Sequence, residues 1–234
     1  MPAAHKPQAG RAWFVTGTDT EIGKTFVTCA LLHAARQRGL RAIGMKPVAA
    51  GTEDGPDGRC NEDVVQLRAA SSPESAALAP ALINPYCFDA PIAPHVAAAE
   101  AGVRIDAEVI LSAFRSLQPH ADCVLVEGVG GFRVPLGADY DSADLAADFG
   151  LPVILVVGLR LGCINHALLT AEAIERRGLA LAGWVANQAD PHMLKTEASI
   201  AALRDRIAAP LLGSLPRYTG RDFAAAAAKL TLPD

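Results

Sequence analysis

Trp13-Phe14-Val15-Thr16-Gly17-Thr18-Asp19-Thr20-Glu21-Ile22-Gly23-Lys24-Thr25 sets an apolar run against a glycine-bearing turn, and the apolar-periodic segment Phe26 to Leu40 comes next. That order reads as strand, phosphate-binding loop and helix. Backbone N–H groups of such a loop converge on phosphate oxygens, and the helix N-terminus adds partial positive charge. Lys24 would reach the β- and γ-phosphates, and the Thr25 hydroxyl would ligate Mg²⁺. One irregularity stands out. The usual loop spaces its two glycines one residue closer than Gly17 and Gly23 are here, so Thr18 takes the first-glycine position when counted back from Gly23.

The bulk properties agree with an ordinary enzyme-sized globular chain. Its 234 residues fit one large α/β domain or two small ones, and an apolar fraction of 51% supports a core. A net charge of −4 leaves no basic field to attract nucleic acid or anionic lipid. Lysine is scarce, confined to Lys6, Lys24, Lys46, Lys195 and Lys229 among 21 basic residues, so a lysine at a strand end invites a chemical explanation. Cys29, Cys60, Cys87, Cys123 and Cys163 show neither Cys-x-x-Cys nor paired-histidine spacing, which supports neither a disulfide framework nor a zinc site and suits a reducing compartment. Residues 1–10 lack an apolar stretch and read as a disordered extension rather than a signal peptide. No apolar run approaches a membrane span, so the expectation is a soluble, cytoplasmic protein.

Along the chain, apolar runs alternate with helical patterns, which predicts βαβ units and a mostly parallel sheet flanked by helices. Strands are expected at Arg11–Thr16, Leu40–Lys46, Cys123–Val126, Pro152–Val157, Leu181–Ala186 and Leu211–Leu215. Helices are expected at Lys24–Arg38, Glu62–Ala70 with Asn61 as N-cap, Asp106–Leu117, Asn165–Arg177, Met193–Ile207 and Phe223–Lys229. Ala49–Cys60 reads as a flexible acidic loop. Ser71–His95, with Pro73, Pro80, Pro85, Pro91 and Pro94, reads as irregular. Nothing divides the chain, so residues 11–234 read as one domain.

In open parallel sheets ligands bind beyond the carboxyl ends of the strands, so the residues just after each strand form a functional census. The first strand ends in the phosphate loop, the second in Lys46, and the Cys123 strand in Glu127-Gly128-Val129-Gly130-Gly131. A carboxylate directly after Val-Leu-Val is costly unless it meets a cation, so Glu127 is either a Mg²⁺ ligand beside Thr25 or the partner of an arginine such as Arg133. Asp63 is a second candidate ligand or simply an acidic residue favoured in a first helical turn. Lys46 beside Lys24 would double the positive charge where a phosphoryl group transfers. Asn187, at a later strand end, could read a purine edge or cap a turn. The residues therefore reach a Mg-nucleotide enzyme with a second lysine for an anionic reacting group, and stop short of a substrate.

From Trp13 to about Pro216 the chain resembles dethiobiotin synthetase. The carrying motifs are Thr16 to Thr25, Lys46-Pro47-Val48, Asn84-Pro85-Tyr86 with Pro94-His95, Val126-Glu127-Gly128 with Gly130-Gly131, Leu161-Gly162-Cys163-Ile164-Asn165-His166 and Gly183-Trp184-Val185-Ala186-Asn187. The longer phosphate loop is itself a trait of that family. The resemblance implies a three-layer P-loop NTPase-like fold and an ATP- and Mg²⁺-dependent ring closure of 7,8-diaminononanoate with CO₂. It implies Lys46 and Lys24 as catalytic residues and Thr25, Asp63 and Glu127 as the Mg²⁺ sphere. Glu21, Ile22, Gly23, Lys24, Thr25 and Phe26, with Gly128, Val129 and Gly130, would surround the phosphates, while Asn187, Gln188, Leu215, Pro216 and Arg217 would hold adenine. Thr20, Lys46 and Ala50 would face the substrate, and Gly162, Cys163 and Asn165 would bind its carboxylate across a homodimer interface. Two departures are visible: Ala50 stands where the family usually carries a hydroxyl residue, and the chain beyond Pro216 matches poorly. Two rivals share the fold. A corrinoid amide synthetase would need a glutaminase domain for which the chain has no room. A partner-regulated switch ATPase of the partition or division-positioning type would carry an extra lysine at the start of the loop, where Thr16, Gly17 and Thr18 stand.

Overall fold

A computed structural model describes residues 11–55 and 58–233. In chain order the elements are β1 (Arg11–Gly17), α1 (Lys24–Gln37), β2 (Ala42–Met45), β3 (Val48–Ala50), β4 (Glu53–Gly55), β5 (Gly58–Cys60), α2 (Glu62–Ala70), α3 (Pro80–Ile83), β6 (Tyr86–Phe88), α4 (Pro94–Glu100), α5 (Ala107–Leu117), β7 (Cys123–Glu127), α6 (Ser142–Phe149), β8 (Val153–Leu159), α7 (Cys163–Arg176), β9 (Leu181–Gln188), α8 (Thr196–Arg204), β10 (Leu211–Leu215) and α9 (Phe223–Ala227). Six strands form one parallel sheet in the order β10-β9-β8-β1-β7-β2. β1 lies between β7 and β8, so its carboxyl end opens at a crossover point of the topology, where ligands of such sheets bind.

Alternation along the strands sorts the core into two faces. Phe14, Val124 and Val126 pack with Ile110, Phe114 and Leu117 of α5 and with Ala143 and Leu145 of α6. Trp13, Val15 and Leu125 turn the other way, onto Val27, Leu31 and Ala35 of α1 and Leu67 of α2. A third cluster joins Leu155, Val157 and Trp184 to Ala167 of α7 and Ile200 and Leu203 of α8. Both faces are covered, which is why β7 and β8 read as unbroken apolar runs. Cys29 and Cys123 are buried, in line with their apolar sequence context, and every described cysteine is a free thiol.

The long strands and helices fall where the sequence places them, with ends differing by a few residues. Two segments carry more order than expected. The stretch expected to be a flexible loop holds the end of β3 and the antiparallel pair β4 and β5, and β3 pairs in parallel with β6. Within the segment expected to be irregular, Pro80 and Pro94 stand at the start of α3 and α4, where the missing N–H removes no helical bond. α6 has no counterpart among the expected helices; its start is a capping box in which Asp141 accepts from the Asp144 N–H and Asp144 accepts from the Asp141 N–H. Residues 1–10, read as a disordered extension, lie outside the described residues. No helix among the described residues is long and apolar enough to cross a membrane.

Candidate active site

Register decides which side chains meet. Val15 lies opposite Glu127, and Met45 lies opposite Val126, so Lys46, one step on, comes level with Glu127 at the sheet edge. The Lys46 ammonium donates to Glu127 Oε1 at 2.7 Å, to Asp63 Oδ2 at 2.9 Å and to the Gly128 carbonyl at 3.3 Å. The Thr25 hydroxyl donates to the same Glu127 oxygen at 2.7 Å. Lys46 and Glu127 are both buried. Burial alone would drive the Lys46 pKa down; the charges of Glu127 and Asp63 outweigh it and hold the ammonium above the ordinary lysine range. For Asp63, burial is likewise the largest influence, pushing up, and the nearby Lys46 charge reverses it to a net depression. Arg133, the alternative partner for Glu127, instead pairs with Asp141 at 2.5 Å.

The backbone under Lys46 is fixed as firmly as its head. Its N–H donates to Ile83 O at 2.8 Å, and its carbonyl accepts from Asn84 Nδ2 at 2.6 Å. Asn84 also donates to Tyr86 O, bridging the two sides of the turn that carries the lysine. Asn61 caps α2 by accepting from the Val64 N–H and donates to Gly51 O at 2.7 Å, which sets Asp63 facing the lysine.

The phosphate loop leads into α1 through Gly23, whose φ of 82° favours glycine, while Glu21 adopts a positive φ of 57° as well. A side chain at Gly23 would also strike Asn187, its Cβ 2.4 Å from Nδ2. Lys24 folds back so that its ammonium donates to Asp19 O at 2.9 Å. Burial first, and then the like charge of Lys46, lowers the Lys24 pKa to about 8.

A cavity of about 380 Å3 opens at this sheet edge, bordered by Thr20, Glu21, Lys24, Thr25, Lys46, Ala50, Asp63, Val129 and Gly130. A second hollow of about 180 Å3 lies across Gly23, bordered by Ile22, Phe26, Asn187, Gln188, Arg217 and Tyr218. Glu21, Gly23 and Phe26 border both, so the two hollows adjoin at the start of α1. Thr25, Asp63 and Glu127 suit a hard cation by donor type, and Glu127 Oε2 is buried with no hydrogen-bond partner among the described residues. That orphaned oxygen fits Mg²⁺.

A family model described as an AAA domain matches residues 11–222. The ATP-dependent dethiobiotin synthetase of Aromatoleum aromaticum is 63% identical over 225 residues, 95% of this chain and 98% of that one. The chain belongs to the dethiobiotin synthetase family. Another member, the ATP-dependent dethiobiotin synthetase of Xanthomonas axonopodis pv. citri, is 53% identical over 222 residues, again covering 95% of this chain and 98% of that one. Among solved structures, a ParA family ATPase from Chlorobium tepidum aligns over 94% of both chains with TM-score 0.55 at 14% identity. The septum site-determining protein MinD from Pyrococcus horikoshii, solved with Mg-ADP, aligns over 93% of this chain and 86% of its own with TM-score 0.54 at 16% identity. At such identity these neighbours show the P-loop NTPase fold, and the relatives place the chain among dethiobiotin synthetases rather than switch ATPases.

Most residues named from the sequence lie around these two cavities. Gly128 contributes its carbonyl to Lys46, and Asn187 donates its amide to Ile22 O at 2.7 Å, bracing the phosphate loop from β9. Leu215 is buried, and of the segment 215–217 only Arg217 borders the hollow, donating to Ala189 O at 2.5 Å. Gly162, Cys163 and Asn165 border neither cavity within the single chain. Asn84, Asn61 and Tyr218 join the site without having been expected there. Asn84 and Asn61 act through amide-to-carbonyl bonds across turns, for which only the Asn84-Pro85-Tyr86 motif and the helix-cap position are signals.

Proposed function

We propose that this protein is an ATP-dependent dethiobiotin synthetase, carboxylating 7,8-diaminononanoate and closing it to a cyclic urea with release of ADP and phosphate. The observation that carries the reading is Lys46, a buried ammonium clamped by Glu127 and Asp63 at the mouth of the phosphate loop, in a chain 63% identical over 225 residues to a dethiobiotin synthetase. Because Lys46 is held charged, it acts as an electrostatic clamp rather than as a base.

One substrate amine adds to CO₂ and loses a proton, giving a carbamate. A carbamate oxygen then attacks the γ-phosphorus as the bond to ADP breaks. The second amine attacks the carbonyl carbon, phosphate departs with the electrons of the C–O bond, and the proton the nitrogen sheds leaves with the phosphate. Lys46 would lie between the carbamate and the γ-phosphate, where charge shifts from one to the other. Lys24 would leave Asp19 O for the phosphate oxygens, with the backbone of 21–26 and 128–130 around them. Mg²⁺, held by Thr25, Asp63 and Glu127, would supply positive charge against the β- and γ-phosphates. Thr20 and Ala50 would border the diamine, Asn187, Gln188, Leu215, Pro216 and Arg217 the adenine, and Gly162, Cys163 and Asn165 the substrate carboxylate across a homodimer. We take residues 11–234 as one domain of a cytoplasmic protein without a nucleic-acid or membrane partner.

Incubation with 7,8-diaminononanoate, carbon-labelled bicarbonate, ATP and Mg²⁺ tests the proposal. Label is expected in a cyclic urea, with one ADP formed per product. ATP hydrolysis without label fixation refutes it.

A further inference from the structure

The longer phosphate loop has a geometric consequence on the neighbouring strand. Thr18 N–H donates to Val156 O at 3.0 Å, and the Thr18 hydroxyl accepts from the Gly158 N–H at 3.2 Å. Ile22 is buried over Gly158, whose missing side chain leaves the room: a Cβ there would come within 2.4 Å of Ile22 Cγ2. The next link is ionic. Asp19 pairs through Oδ2 with the Arg160 guanidinium, while its Oδ1 accepts from Thr20 N–H at 2.8 Å and its carbonyl accepts from Lys24. Arg160 begins the turn into α7, its carbonyl accepting from the Cys163 N–H at 2.9 Å. Asp19 is thus bonded at once to the phosphate-loop lysine, to Thr20 and to the turn that carries Gly162 and Cys163.

We propose that Asp19 and Arg160 are a positioning pair, which ties nucleotide occupancy of the phosphate loop to the geometry of the β8–α7 turn. The assignment of that turn to the substrate carboxylate rests on the function proposed above; the mechanical link does not. When phosphates draw Lys24 away from Asp19 O, the peptide of Asp19 loses one of its partners, and the displacement passes through the carboxylate to Arg160 and on to the start of α7. The pair is about half-exposed at each end, with side-chain exposures of 42% and 44%. Exposed pairs of this kind add little stability, so the effect is one of orientation and weakens with salt.

Two measurements test it, with thermal unfolding confirming that each variant folds. The first is amide hydrogen exchange over residues 160–166 with and without Mg²⁺ and a non-hydrolysable ATP analogue. Nucleotide should slow exchange there in the wild type, much less in Arg160→Ala and Asp19→Asn, and partly again in Arg160→Lys. No nucleotide-dependent change at 160–166 in the wild type, or the same change in all variants, overturns the proposal whatever the substrate is. The second is the affinity for 7,8-diaminononanoate with and without the analogue. The nucleotide-induced gain should shrink about two- to fivefold in either single variant, and no further in the double variant. Losses that multiply in the double variant overturn the pairing. Failure of the wild type to bind the diamine counts against the proposed substrate and leaves the exchange result to decide the link.

Discussion

Replacing Lys46 with methionine keeps the length of the side chain and removes the charge that Glu127 lies against. In the wild type Glu127 is wholly buried, at 0% exposure, with Lys46 and Thr25 as its hydrogen-bond donors and one oxygen without a partner among the described residues. In Lys46→Met only the Thr25 hydroxyl remains. Breaking a buried ion pair by removing one partner costs about 3–5 kcal/mol, because the other charge stays buried uncompensated. Asp63, whose side chain is 39% exposed, rehydrates and adds little to that loss. The double variant Lys46→Met/Glu127→Gln removes the stranded charge as well, and should stand within about 1 kcal/mol of the wild type, since a neutral pair can replace a buried ionic one at small cost. Urea unfolding tracked by circular dichroism, extrapolated linearly to water, measures the wild type, the double variant and both single variants, Lys46→Met and Glu127→Gln. Millimolar Mg²⁺ should narrow the deficit of Lys46→Met and leave the double variant unmoved, because only the former retains the carboxylate. Turnover should be lost in both. If the double variant loses the sum of the two single losses, Glu127 is not dependent on Lys46 and the electrostatic account of the site is wrong.

Individual contacts yield three further expectations. Gly158→Ala puts a methyl group into the space of Ile22, an overpacking worth about 1–3 kcal/mol, and should weaken ATP binding roughly tenfold by displacing the loop; unchanged affinity in an equilibrium titration would contradict the notch. Asn84→Ala strips the Lys46 carbonyl of its side-chain donor, and turnover should fall about tenfold with ATP affinity little changed, while equal losses in both would point to general unfolding. Lys24, with its pKa lowered to about 8, is charged below that pH and neutral above it in the ligand-free protein, so affinity for Mg-free ADP should be level below pH 8 and fall up to about tenfold per unit above it; a flat profile to about pH 9.5 would refute the assignment.

Much of this is legible in the residues alone. β1, β7 and β8 announce themselves as apolar runs because the sheet is covered on both faces, and Gly39, Asn61 and Gly178 mark helix ends by their conformational preferences. Lys46, Glu127 and Thr25 are legible because each comes directly after an apolar strand or opens a helix, where a polar side chain must have a use. The three-residue strands β3 and β6 are too short for any period to show, and the prolines opening α3 and α4 look like breakers until their place at a helix start is known. Asp141 and Asp144 carry a capping-box pattern ahead of α6, but that helix is too short for its period to reinforce the signal. Contacts such as Asn187 to Ile22 O and Asp19 to Arg160 span more than a hundred residues, and their partners are set by the tertiary fold rather than by any local pattern. The longer loop is intermediate: its spacing is visible in the sequence, while its contacts with β8 through Thr18 and Ile22 come from the tertiary fold.

The most direct measurement traces oxygen rather than carbon. With bicarbonate labelled in oxygen-18, diaminononanoate, ATP and Mg²⁺, attack of the carbamate on the γ-phosphorus and later expulsion of phosphate must carry one labelled oxygen into each inorganic phosphate formed. Wild-type protein should release singly labelled phosphate in step with cyclic urea, and Lys46→Met should release neither. Phosphate free of label alongside cyclic urea would contradict the proposed route and the place given to Lys46 in it.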